Sequence, residues 1–307
     1  MKLTHLISAV FTLSISSFVL AGSSHGVINS FNDLIQLTKE IDKPYNTLLV
    51  MDDDDTISMM DCPDSKQPET CQYLGGPAWF NWQQDQINKN QYPRVADKFE
   101  DLLVTATLLF NLNKMVYSQT EVPNVLKELT QSGVRLLVET ARGNTDISAT
   151  EQQFTQLQIG KAKTFATHLS QNSLLFDNKS SKASPYTPCD ISTMRTISYR
   201  NGALYLAGQD KGINLKCLLD EFNQQESATK LTQIIFIDDT LANVISVHKA
   251  FKDNPNYQVK ALHFTALEQH KAALTHGKFA NQHQQNAMDK WNIIKDVLSS
   301  ELKKPIL

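Results

Sequence analysis

Residues 48–57 read Leu48-Leu49-Val50-Met51-Asp52-Asp53-Asp54-Asp55-Thr56-Ile57. Four apolar residues stop abruptly at four carboxylates and a threonine. An apolar run of that length fits a strand buried on both faces, as in a parallel sheet. The carboxylates then stand at the strand's C-terminal end, where open α/β sheets place their ligands. Adjacent acids repel one another, so such an edge needs a cation or shared protons to stay folded. A solvated acidic turn or a structural calcium loop is the plainer reading of the tetrad by itself. An EF-hand loop fits poorly, because its glycine and distal glutamate are missing.

Two more apolar runs end in polar groups. Val134-Arg135-Leu136-Leu137-Val138-Glu139-Thr140-Ala141-Arg142-Gly143 closes on a hydroxyl and a glycine turn, and Ile234-Ile235-Phe236-Ile237-Asp238-Asp239-Thr240 closes on two acids. Helical patterns separate them. One begins at Ser30-Phe31-Asn32-Asp33, a capping-box-like start; another runs from Glu121 through Leu129 to Ser132-Gly133. Gly208 to Gly212 opens a third, with Leu215, Leu218, Leu219 and Phe222 inward, and Asn243 and Val244 begin a fourth. Helix followed by strand is the signature of βαβ winding. Asn201-Gly202 predicts a hairpin within 197–206, and Val259 to Phe264 a last strand.

Residues from about 58 to 118 interrupt this alternation and read as an insertion. A loop with Cys62, Cys71, Gly75, Gly76 and Pro77 leads to Trp79, Phe80 and Trp82, then to helical patterns at 78–90 and 94–112. Such aromatics are either the core of a small helical unit or a cover over a substrate, the former being the commoner case. Met288 to Leu302 is amphipathic through Trp291, Ile294, Val297, Leu298 and Leu302.

The chain has 307 residues, a formal net charge of −3 and 41% hydrophobic residues, enough for one large domain or two smaller ones. The mild acidity argues against a nucleic-acid binder, which carries a basic excess. Lys2, the apolar stretch Leu6 to Leu20 and the small residue Ala21 read as a secretory signal over residues 1–21. The stretch is short and Ser-rich for a membrane span of about 20 residues, which favours cleavage over an uncleaved anchor. The mature protein, 22–307, is expected to be soluble, in the periplasm or secreted, with no membrane association. In an oxidising compartment, Cys62, Cys71, Cys189 and Cys217 suggest disulfides. A local Cys62–Cys71 bridge, worth roughly 2–3 kcal/mol on the chain-entropy model, leaves Cys189 with Cys217, though four cysteines allow three connectivities. A zinc site is the weaker alternative, since no CxxC spacing is present.

Taken in order, the polar strand ends resemble the four motifs of the haloacid-dehalogenase-like (HAD) superfamily. Asp52, Asp54 and Thr56 match hydrophobic-DxDxT; Thr140 matches the second motif; Lys211, at a helix start, matches the third; Asp238-Asp239 match the fourth. The resemblance covers about residues 45–265 and extends to exported bacterial phosphatases of that superfamily. It implies a Rossmann-like parallel sheet flanked by helices, with a small helical cap inserted after the first motif. It also implies Mg2+-dependent hydrolysis of a small phosphomonoester. Asp52 is then the nucleophile, Asp54 the acid and base, and Thr140 and Lys211 the phosphoryl holders. Asp52, the Asp54 carbonyl, Asp238 and Asp239 become the metal ligands. Asp54 separates phosphatases and phosphotransferases from dehalogenases, which lack an acid there, and crowding by neighbouring acids is expected to favour its protonated form. Family members often have Gly at the Asp55 position.

The remaining candidates have plainer readings beside the functional ones. Arg142 grips a phosphate or pairs with Glu139 or another carboxylate. Thr56 hydrogen-bonds the first-motif loop. Lys161 and Lys163 compete with Lys211. His168, His248 and His263 have no partner at metal-ligand spacing and read as core or surface residues. A phosphotransferase or mutase, or an exported binding protein without catalysis, are the rival functions.

Overall fold

The structure, a computed structural model, describes residues 22–39, 43–64, 67, 70–189, 195–226 and 229–302. The expected signal at 1–21 lies outside the described residues. The strands are β1 (Gly22–Ile28), β2 (Thr47–Met51), β3 (Ser58–Met60), β4 (Met115–Tyr117), β5 (Arg135–Thr140), β6 (Ser198–Arg200), β7 (Ala203–Tyr205), β8 (Gln233–Asp238) and β9 (Gln258–Phe264). Seven of them form one sheet in the order β1-β9-β8-β2-β5-β7-β6. All neighbours in it run parallel except β6 and β7. This is an α/β fold with a mostly parallel sheet flanked by helices.

β2 lies at the centre because every residue in it is buried, which an edge or one-sided strand does not allow. Its alternation divides the core. Leu49 and Met51 join Leu136, Val138, Ile235 and Ile237 on one face. That face is covered by α1 (Asn32–Lys39), α4 (Val122–Gln131), α5 (Ile147–Gln156) and α6 (Phe165–Asn172), through residues such as Leu34, Leu126, Phe154 and Phe165. Leu48 and Val50 join Leu137, Ile234 and Phe236 on the other face. There α7 (Lys211–Gln224) and α8 (Leu241–Phe251) supply Leu215, Leu219, Val244 and Val247.

The hairpin falls where Asn201-Gly202 predicts it. β6 and β7 flank the pair, and both turn residues have positive φ, 51° and 86°, as a type I′ turn requires. β1 has no counterpart in the sequence analysis. Its Gly-Ser-Ser-His-Gly start is polar, and its order comes from parallel pairing with β9 along its whole length.

The insertion contains α2 (Pro77–Asn88) and α3 (Phe99–Leu112), and the antiparallel pair β3 and β4 brackets it. The helix expected over 94–112 starts late, at Phe99, after an extended Lys98 at its N-cap; Val95 still packs against the same cluster from the loop. Trp79 is fully buried and Trp82 nearly so, which agrees with the reading of a small core. That core is completed from the far end of the chain. α9 (Glu268–Thr275) and α10 (Ala280–Glu301) bring Leu274, Met288 and Trp291 against Trp79, Trp82, Leu102 and Leu109. Of the amphipathic tail, Trp291 is buried and Ile294 partly so, whereas Val297 and Leu302 are exposed. Disulfides join Cys62 to Cys71 and Cys189 to Cys217. They are consistent with export, and among the described residues no helix is long and apolar enough to cross a membrane.

A titration probe sits at this junction. The His270 ring stacks on Tyr73 at 4.8 Å between centroids, and its Nδ1 is buried without a partner. Burial, then His283 and Lys271, push its pKa from 6.5 down to about 4. The unfolded chain therefore takes up a proton near pH 6.5 that the folded protein resists, so stability falls as pH drops from 6.5 toward 4. The full effect of a shift that size is about 3 kcal/mol. His270→Phe keeps the stacked ring and removes the proton site. Urea denaturation at pH 7 and pH 4.5 is expected to show a smaller pH-dependent loss in the variant; equal losses would disprove the assignment.

Candidate active site

Strand register brings the polar ends together. Met51 pairs with Ile237 on one side and Val138 on the other, so the segments after β2, β5 and β8 emerge at one edge. Side-chain alternation then sorts them. Asp52, Glu139 and Asp238 continue the face of Val50, Leu137 and Phe236, toward α7 and α8. Lys211 is the first residue of α7, held there by the N-cap Asp210, whose carboxylate accepts the Ile213 N–H at 2.8 Å. Its ammonium meets Asp52 at 2.5 Å and Asp238 at 2.7 Å. Close helix packing makes this reach possible: a Cβ on Gly212 would lie 2.5 Å from the Ser246 carbonyl of α8.

Electrostatics follow from this burial. Burial works against the charge on Lys211, but Asp238, Asp52 and Glu139 outweigh it and hold its pKa above the ordinary lysine value. Burial raises Asp52 well above the carboxylate range; Lys211 opposes the rise, and Asp238, Asp239 and Asp54 add to it. Glu139 is fully buried with neither oxygen hydrogen-bonded, and burial raises it well above the usual range against the pull of Lys211. Asp238 is satisfied on all sides: besides Lys211 it accepts from the Thr240 N–H at 2.8 Å and from Asn243 Nδ2 at 3.0 and 3.1 Å.

Asp239 has a partner that the sequence analysis missed. Lys271, on α9, reaches its Oδ2 at 2.5 Å and its carbonyl at 3.2 Å. His263 Nε2 lies 3.1 Å from the same carbonyl. Thr56 bonds across to this segment, accepting the Asp239 N–H at 3.1 Å, so it joins two loops where a bond within its own loop was expected. Burial raises the Asp239 pKa, with Lys271 opposing.

Arg142 resolves to ion pairing. Its guanidinium takes Asp54 with two bonds, Nε to Oδ2 at 2.8 Å and Nη2 to Oδ1 at 2.7 Å. It lies 3.5 Å from Asp53, donates to Thr150 and Gln153, and has the Phe110 ring of α3 over it at 4.6 Å. A two-bond grip of this kind is among the strongest side-chain pairings. Asp54 is therefore not simply crowded by acids, as expected; it is paired with a cation. Asp53 is buried, accepts from the Ser58 hydroxyl at 2.7 Å and is raised to about 6 by burial, with Arg142 opposing. Thr140 is buried and accepts the Arg142 N–H at 3.2 Å. Among the described residues no hydrogen bond joins it to Asp52 or Lys211. Among the described residues no ion pair joins Lys161 or Lys163 to the cluster, whereas Lys211 lies within it. His168 bonds Thr130 and His248 bonds Ser23, in keeping with structural roles.

Asp52, Asp238 and Asp239 offer carboxylate oxygens that all lie within 4.8 Å of one another. Buried oxygen donors in that number suit Mg2+, which takes a few carboxylates and completes its shell with water and substrate oxygens. Of the expected ligand set, Asp54 has its side chain committed to Arg142, which leaves only its carbonyl for that role. A groove of about 730 Å3 lined by Ile213, Leu241 and Ile245 runs beside this edge on α7 and α8, and none of the clustered carboxylates lines it.

A family model described as "Protein of unknown function (DUF2608)" matches residues 28–304. No curated protein and no solved structure matches the chain. The match corrects the membership read from the four motifs: the family that spans this chain is DUF2608, not the haloacid-dehalogenase-like superfamily.

Proposed function

We propose that this chain, which belongs to the DUF2608 family, hydrolyses small phosphomonoesters through a phosphorylated Asp52, with Mg2+ as cofactor. The observation that carries the reading is the buried Lys211 bridge between Asp52 and Asp238, with Asp239 near enough to share an ion. A nucleophilic carboxylate for phosphoryl transfer needs positioning and fixed positive charge around the transferring oxygens more than any covalent assistance. When bound, Mg2+ would be held by Asp52, Asp238, Asp239 and the Asp54 carbonyl, and would supply Lewis-acid stabilisation of phosphoryl oxygens.

The chain's own residues divide the rest of the work. Asp52 Oδ attacks phosphorus and the ester P–O bond breaks. Asp54 gives a proton to the departing oxygen, then takes one from the water that cleaves the acyl phosphate. Arg142 holds Asp54 between turnovers and releases it to the substrate side. Lys211 holds phosphoryl oxygens as negative charge builds on them. Thr140 joins it once its hydroxyl turns from the Arg142 N–H. The insert of α2 and α3, fixed through Thr107 on Asp146 at 2.6 Å and Phe110 on Arg142, limits the size of what enters. The disulfides support a site of action outside the cytoplasm.

The test is phosphate release from a panel of small esters, in Mg2+ and in chelator. Hydrolysis in Mg2+ that falls at least about 100-fold in chelator is expected of a metal-dependent centre. Turnover of no ester, or turnover that chelator leaves intact, overturns the reading.

A further inference from the structure

Away from the carboxylate edge, a second group of metal-ligating side chains meets where the insert joins the tail. Cys62, Cys71 and His270 each offer one atom, and the two sulfurs and the ring nitrogen all lie within 4.8 Å of one another. Cys71 and His270 are 7% and 5% exposed, and Cys62 is partly buried. The backbone holds the sulfurs together independently of their own bond. The Asp61 carbonyl accepts the Gln72 N–H at 2.8 Å, one residue outside each cysteine.

His270 arrives on α9 from the far end of the chain. Tyr73 fixes it there, stacking on its ring at 4.8 Å between centroids and donating its hydroxyl to the His270 carbonyl at 3.4 Å. Among the described residues its Nδ1 is buried without a hydrogen-bond partner. A buried polar atom left unpaired costs roughly 1–3 kcal/mol, and such atoms are few in folded proteins. A disulfide asks nothing of a neighbouring imidazole. Two thiolates do when a cation binds between them, because sulfur and imidazole are the donors that zinc takes.

We infer that Cys62, Cys71 and His270 form a zinc site in the reduced protein, with water as fourth ligand, and that the Cys62–Cys71 disulfide closes it. The inference does not rest on the Mg2+ reading. Tetrahedral zinc, with sulfur at about 2.3 Å and nitrogen at about 2.0–2.1 Å, takes the two sulfurs only as separate thiolates. Release is a balanced exchange. The two thiolates give two electrons to a small-molecule disulfide, and an S–S bond forms between Cys62 and Cys71. The oxidant's own S–S bond breaks, and it leaves as two thiols with two protons from solvent. Zinc then loses two of its three protein ligands. A dithiol reductant runs the exchange backwards.

Co2+ titration of the full chain, reduced with a phosphine, tests the site. Thiolate ligands give Co2+ a near-ultraviolet charge-transfer band that carboxylates do not. Reduced wild type is expected to show the band at one equivalent and to lose it when Zn2+ is added. Cys189→Ser/Cys217→Ser should keep the band; oxidised wild type and Cys62→Ser/Cys71→Ser should lack it. His270→Phe keeps a ring on Tyr73 and is expected to bind Co2+ at least about 10-fold more weakly, since even partners outside the ligand shell are worth 10- to 100-fold. A second measurement needs no variant: Zn2+ should slow closure of the disulfide by glutathione disulfide at least about 10-fold. No band in reduced wild type, as for a purely structural disulfide, overturns the inference. So does a band that survives Cys62→Ser/Cys71→Ser, wild-type affinity in His270→Phe, or a closure rate that Zn2+ leaves unchanged.

Discussion

Asp52→Asn is expected to leave a folded protein whose hydrolysis of phosphate esters is at least about 10^4-fold slower, the scale seen when a covalent nucleophile is removed. The amide occupies the same space and keeps an oxygen to accept from Lys211, so the geometry at the end of β2 has no reason to change. It cannot attack phosphorus and leave an acyl phosphate. Stability should not suffer. Asp52 is a buried acid whose ionised form is disfavoured by its setting, and Lys211 keeps Asp238 at 2.7 Å. Steady-state rates give the first measurement. Intact mass after acid quench gives the second: wild type should carry a phosphoryl group during turnover and the variant none. A variant with wild-type turnover would remove Asp52 from the mechanism, whatever else the site does.

Lys211→Met is the substitution with the largest expected effect on stability. Lys211 is 2% exposed and bonds two carboxylates. Methionine fills the stem's volume but leaves Asp52 and Asp238 facing each other, with Glu139 beside them. Breaking a buried ion pair from one side costs about 3–5 kcal/mol. The pH window follows from the sign of the shift. The Lys211 pKa is raised on folding, so its stabilisation is fully present below the unfolded value of about 10.4 and is lost only as pH rises through the folded one. At pH 7 the whole contribution is therefore at stake. In the variant the exposed cost is carboxylate repulsion, which protons or a cation relieve. The deficit by urea denaturation should shrink from pH 8 to pH 5, and should be smaller in saturating Mg2+ than in EDTA. A variant as stable as wild type in EDTA at pH 7 would show that the bridge contributes nothing.

Both predictions depend on residues that the sequence made visible by simple means. Asp52, Thr140 and Asp238 each end an apolar run, and Lys211 begins a helix after a glycine-bounded turn. Such signals are local, so a linear reading finds them. The Asn201-Gly202 hairpin and the Cys62–Cys71 bridge belong to the same class. Motif order did not, however, set the family: a few polar residues at strand ends are a small part of a long chain and recur on unrelated proteins. Arg142 shows where local reading stops. Its position two residues past a strand end marked it, but only the fold determined that its partner is Asp54, 88 residues away. Lys271 carried no mark at all, since α9 is a polar helix whose reach to Asp239 depends on how it packs against α2. β1 was hidden in the same way, because its order comes from β9 and not from its own composition.

Periodicity, turn residues and abrupt polar ends by themselves determined that this chain winds an α/β sheet with carboxylates along one edge. They did so because those features act within a few residues of one another. The tertiary structure alone decided which cation faces which acid, which end of the chain completes the inserted helical core, and that the Asp55 carboxylate is buried with neither oxygen hydrogen-bonded. Those outcomes rest on register and packing between segments distant in sequence, where no local pattern reaches.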